Sequence, residues 1–179
     1  YKSPVQVRDK RVLVVGCGNS AADIVGDAAH GRSTVFLSIR RGYWFVPKFL
    51  LGFPTYDVVA TVEMIPMPRI VRRYLFEACL WLLQGPPSRY KLPDPDYHID
   101  QAHPTMSDDI PRLSAHGRIM IRPEIEGYEG RSVIFNDGSS DEFDIIVFAT
   151  GYQVEFPFVD SSLVNDAAGR PRFFAHAFH

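Results

Sequence analysis

The stretch RVLVVGCGNSAADIV, residues 11–25, constrains this chain more than any other part of it. Residues 11–15 are a valine and leucine run that predicts a strand buried on both faces. Over 19–29, Ala21, Ala22, Ile24, Val25, Ala28 and Ala29 recur at helical spacing, and Gly31 stands where such a helix would stop. Residues 34–39 (TVFLSI) supply a second strand. Strand, glycine turn, helix and strand make one βαβ unit, whose strands should run parallel with a right-handed crossover. The fold is α/β at this point.

The turn itself reads Gly16-Cys17-Gly18-Asn19-Ser20-Ala21, which is G-x-G-x-x-A placed directly after a strand and before a helix. That is the context of a Rossmann-like dinucleotide site. Gly16 permits the tight turn, Gly18 lets backbone approach a pyrophosphate, and Ala21 keeps helix and strand close. The helix N-terminus offers free N–H groups and a partial positive charge to the phosphates, and Asn19 and Ser20 can add side-chain hydrogen bonds. At the end of the second strand, where an NAD site places a carboxylate, the sequence has Ser38-Ile39-Arg40-Arg41. Two guanidiniums and a hydroxyl suit a 2′-phosphate, so Ser38, Arg40 and Arg41 predict NADP over NAD. The alternatives are a strand–helix turn without ligand and a pair of solvated arginines.

Little else in the chain carries chemistry. Cys17 and Cys79 form no C-x-x-C, and Cys17 has no base nearby in sequence, so it reads as small filler. The six histidines lack metal-ligand spacing, no nucleophile elbow occurs, and Asp108-Asp109 reads as solvated charge. No catalytic residue and no metal site is therefore assigned. A nicotinamide cofactor transfers hydride itself and needs only to be held and oriented. A net charge of −2 argues against nucleic acid as a partner. No uncharged apolar run reaches the roughly 20 residues that span a bilayer, and no basic and apolar leader opens the chain, so a cytoplasmic protein without a membrane partner is expected.

Proline divides the chain, since eleven of the 14 fall between Pro47 and Pro123. In that middle zone 69–84 predicts one helix, with Ile70, Tyr74, Leu75, Ala78, Trp81 and Leu82 forming a broad face that packs against protein; the alternative, with Arg69, Arg72 and Arg73, is a helix lying on a membrane or on a partner domain. The rest of the zone reads as long loop with short turns. Beyond it, 118–122, 125–128 and 132–135 predict a small antiparallel meander with a tight turn at Asn136-Asp137-Gly138. Residues 143–152 (FDIIVFATGY) have the character of a central parallel strand.

Three of these segments together resemble the flavin-containing monooxygenases, over nearly the whole chain. RVLVVGCGNSAADIV is similar to the family's NADPH-binding glycine motif, SIRRGYW (38–44) to its post-strand arginine segment, and FDIIVFATGY to its ATGY motif. Tyr1 matches the aromatic position that ends the family's fingerprint. The resemblance implies that Gly16, Gly18, Asn19, Ser20 and Ala21 hold the pyrophosphate and that Ser38, Arg40 and Arg41 hold the 2′-phosphate. It places Thr150, Gly151 and Tyr152 near the two cofactors, NADP and, in the full-length protein, FAD. In the complete family NADPH reduces FAD, and the reduced flavin uses O2 to oxygenate a small-molecule nitrogen or sulfur nucleophile.

The family's FAD glycine motif is not in this sequence. The expectation is thus a single NADPH-binding domain over 1–179, inactive alone, with its core in 1–41 and 116–156, a loop and helix insertion at 42–115, and a tail at 157–179 leading back to an FAD domain. Rival readings are the NADPH domain of a Baeyer-Villiger oxygenase or of a thioredoxin-reductase-like flavoprotein, which would want a C-x-x-C, and a non-enzymatic NADP-binding module.

Overall fold

A computed structural model describes residues 3–152 of the chain. The tail at 157–179, the last residues of the expected core at 153–156, and Tyr1 lie outside the described residues. In chain order the strands and α-helices are β1 (Arg11–Val15), α1 (Asn19–His30), β2 (Thr34–Ser38), β3 (Phe45–Val46), β4 (Phe49–Leu50), β5 (Phe53–Pro54), α2 (Thr55–Glu63), α3 (Arg69–Gln84), β6 (Thr105–Met106), α4 (Asp109–Ala115), β7 (Ile119–Arg122), β8 (Ile125–Glu129), β9 (Ser132–Phe135), β10 (Ser140–Glu142) and β11 (Ile145–Phe148).

A four-stranded sheet in the order β11-β1-β2-β7 forms the centre, and each neighbouring pair is parallel. Successive side chains of a strand point to opposite faces, and β1 and β2 use both. Val12, Val14, Val35 and Leu37 pack with Ala21, Ala22, Val25, Ala28 and Ala29 of α1 and with Ile110 and Leu113 of α4. On the other side Leu13 and Phe36 meet Val133, Phe135 and Phe143. The fold is therefore α/β in three layers, with helices on one face of the parallel sheet and an antiparallel meander on the other. The small residues of α1 set a close helix–sheet approach, which larger side chains would prevent.

Several sequence expectations need correction. Residues 119–122 do not join the meander. They pair in parallel with β2, and the meander is β8-β9-β10, in which β10 is a polar segment without an apolar run to mark it. All four residues of β7 pair with β2, and the Ser38 hydroxyl donates to the Pro123 carbonyl just beyond, so the strand is committed to the parallel sheet before β8 begins. β11 lies at the edge of the sheet among the described residues. Its apolar run reflects side chains directed into both layers, Ile145 and Val147 to the helix side and Ile146 to the meander.

The middle zone is also more ordered than its prolines suggest. Pro54 directly precedes α2 and Pro111 lies in the first turn of α4. At helix starts the missing N–H costs nothing, so proline marks a beginning there. α3 forms as expected but buries a different face. Leu80 is its buried residue and packs with Val46, Ile99, Trp44, Phe76 and Met106. Ile70, Tyr74, Leu75, Ala78, Trp81 and Leu82 are exposed among the described residues. Glu77 decides the orientation, because its carboxylate accepts hydrogen bonds from the Ile99 N–H at 3.0 Å and pairs with His98 Nδ1 at 3.1 Å. No helix of the described residues is long and apolar enough to cross a membrane.

Candidate functional site

The carboxyl ends of the parallel strands come together in register, with Phe148, Val15, Ser38 and Arg122 side by side. The chain leaves β1 towards β2 on one side, and β11 lies on the other. The strand order thus reverses at β1, and open α/β sheets bind ligands in the crevice beyond such a point.

Gly16 opens that crevice. Its φ of +107° lies in the left-handed range, and a Cβ there would stand 2.5 Å from the Ala149 carbonyl oxygen and 3.5 Å from Thr150 Cα. Two hydrogen bonds lock the turn, from Gly16 N–H to Ser38 O at 3.0 Å and from Ala149 N–H to Val15 O at 2.8 Å. Gly18 is different. It is the N-cap of α1 with extended backbone, and a Cβ on it would meet nothing within 4 Å. No side chain caps α1, so its first-turn N–H groups have no internal partner. Ala21 is fully buried, as a close helix–strand approach requires, and Ser20 is half-buried.

Two partners of this turn come from far along the chain. The Met106 N–H donates to Asn19 Oδ1 at 2.8 Å, and the buried Thr105 hydroxyl donates to the Cys17 carbonyl. β6 of the middle zone is thereby tied to the glycine turn. Cys17 is 1% exposed, and burial pushes its thiol from 9.0 up to about 12, so it is protonated and inert at neutral pH.

At the neighbouring strand end Ser38 is buried and its hydroxyl donates to Pro123 O at 2.7 Å. Arg40 and Arg41 follow it onto the surface. Arg40 forms no hydrogen bond or ion pair among the described residues. The Arg41 guanidinium lies over the Tyr97 ring, 4.7 Å from its centroid, and 5.6 Å from that of Tyr43. On the far side of the crevice Thr150 is exposed, Gly151 has φ +115°, and Tyr152 is exposed. The structure brings Gly16, Gly18, Ala21 and Thr150 to one turn, with the arginines at the next strand end.

Nothing in this arrangement resembles a nucleophile with its base. No group of three or more His, Cys, Asp and Glu able to hold a metal occurs among the described residues. What the crevice offers is uncapped backbone N–H groups, glycine space and two cations, a chemistry that suits phosphate groups. Sequence reasoning missed Thr105, Met106 and Tyr97. No local pattern marks them, because each acts on residues more than fifty positions away.

Comparison with known proteins bears on this site. A profile described as Flavin-binding monooxygenase-like matches residues 1–179. Flavin-containing monooxygenase 1 of Oryctolagus cuniculus is 35% identical over 190 residues, an alignment covering 99% of this chain and 35% of the relative. The chain thus spans about a third of the length of that curated relative. Two solved structures share the fold at 14% identity. A steroid monooxygenase bound to NADP aligns at a TM-score of 0.54, over 81% of this chain and 39% of its own. OTEMO in an FAD-bound form aligns at 0.58, over 81% of this chain and 39% of its own.

Proposed function

The chain belongs to the Flavin-binding monooxygenase-like family, and from that premise we propose that it is the NADPH-binding domain of a flavin-dependent monooxygenase. The observation that carries this reading is the open space over Gly18 at the uncapped start of α1, beside a strand end that bears two arginines and no carboxylate. A pyrophosphate fits there because its oxygens replace the missing partners of the first-turn N–H groups. The 2′-phosphate then lies against Arg40 and Arg41. Ser38 acts through Pro123, fixing the strand end from which the arginines project. Thr150, Gly151 and Tyr152 border the far side, where Gly151 allows backbone to approach a ligand closely.

When bound, NADPH supplies a hydride, and this chain's task is to hold and aim it. The residues present fit NADPH, since the glycine turn stands beside a strand end that carries two arginines and no carboxylate. In the complete protein FAD would be held elsewhere, and O2 and a small nitrogen or sulfur nucleophile would be the other reactants. Residues 42–115 act as an insertion within a single domain. This is supported by Phe45, Leu92, Ile110 and Leu113, which share one core cluster with β1 and α1.

Replacing both arginines, Arg40→Ala with Arg41→Ala, tests the reading. NADP binding should weaken by about 1.5–3 kcal/mol for each charge-assisted hydrogen bond lost, with NAD binding nearly unchanged. Equal losses for the two cofactors would overturn it.

A further inference from the structure

Arg41 is exposed at a strand end, where an arginine side chain ordinarily samples many rotamers. Here it is held. Its guanidinium carbon lies over the Tyr97 ring, 4.7 Å from the centroid, with Tyr43 at 5.6 Å as a second ring. Tyr97 lies far along the insertion, yet it is fastened to the arginine segment twice over. The Trp44 indole N–H donates to the Tyr97 carbonyl at 2.7 Å. At Gly42 the backbone passes so close to Asp94 that a Cβ would stand 2.1 Å from the Asp94 carbonyl oxygen. Only glycine permits that approach, and it docks the 94–97 segment beside Arg41.

Arg41 forms no hydrogen bond or ion pair among the described residues, so its N–H groups stay free. An arginine so held presents them to a phosphate without first losing rotamer freedom. The Tyr97 hydroxyl is buried and has no hydrogen-bond partner among the described residues. The contact recorded with Arg41 is that of the ring.

We infer that Tyr97 is a specificity-determining positioning residue, which orients Arg41 for the 2′-phosphate and so sets the preference for NADP over NAD. The inference rests on the preceding reading, in which Arg41 meets that phosphate. It also gives the insertion a part in choosing the cofactor, beyond its part in the core.

Calorimetric titration of the purified protein with NADP and with NAD tests it, using the wild type, Arg41→Ala, Tyr97→Phe, Tyr97→Leu and Trp44→Phe. Tyr97→Phe keeps the ring and should leave both affinities within about twofold. Tyr97→Leu fills the space without a π face, and should weaken NADP by about two- to tenfold, the range expected for a lost cation–π contact and a newly mobile arginine. Trp44→Phe removes the tether to the Tyr97 carbonyl and should shift NADP in the same direction. NAD binding should hold in every variant, which separates loss of positioning from loss of fold. If Arg41→Ala lowers NADP affinity alone while a folded Tyr97→Leu or Trp44→Phe leaves the NADP to NAD ratio untouched, the inference is overturned and the site reading stands. If Arg41→Ala leaves that ratio unchanged, the site reading and the inference fall together.

Discussion

Gly16 and Gly18 sit two positions apart and answer to different demands. At Gly16 both the positive φ and the Ala149 carbonyl exclude a side chain. Gly16→Ala should therefore lower stability by about 1–3 kcal/mol or more, read from thermal or denaturant unfolding. Gly18 has an ordinary φ of −81° and open space around it. Gly18→Ala should stay within about 1 kcal/mol of wild-type stability and instead weaken NADP binding, because the methyl group would take up the space proposed for the pyrophosphate. Between them, Cys17 should resist alkylation in the native protein at neutral pH and react on unfolding. Its folded pKa, raised from 9.0 to about 12, makes its contribution to stability complete below about pH 9 and lost as pH climbs towards 12. The glycines, Ala21 and the arginines are legible in the sequence because their spacing from a strand end is local. Thr105 and Tyr97 are not, since they reach the site only through the fold.

Among the elements, α3 separates what periodicity reveals from what it leaves open. Its limits follow from the apolar spacing and from Gly85, which caps it at φ +77°. Its buried face does not, because apolar residues occur on nearly every side of it, and the polar Glu77 selects the inward one. Leu80→Ala should cost about 2–5 kcal/mol in unfolding experiments, whereas Leu82→Ser should change stability by no more than about 0.5 kcal/mol. A substantial loss at Leu82 would mean that this exposed face is covered in the protein tested. β1 and β2 are readable because burial on both faces leaves uninterrupted apolar runs, and α1 because its buried alanines and Val25 recur at helical spacing. β7 is ambiguous for the opposite reason: four residues ending at a proline fit a parallel edge as well as a hairpin, and only pairing with β2 decides.

At the scale of the molecule, the parallel sheet, its helices and its meander serve to bring four strand ends into register beside one uncapped helix. The insertion belongs to that design through three ties: Thr105 and Met106 to the glycine turn, and Tyr97 to Arg41. The central claim is that this crevice selects NADP. Calorimetric titration of the purified protein with NADP and NAD in parallel, at one fixed ionic strength, tests it most directly. The account predicts one site per chain and at least about tenfold tighter binding of NADP, the return on a single further charge-assisted hydrogen bond. Equal affinity for the two cofactors, or tighter binding of NAD, would contradict it.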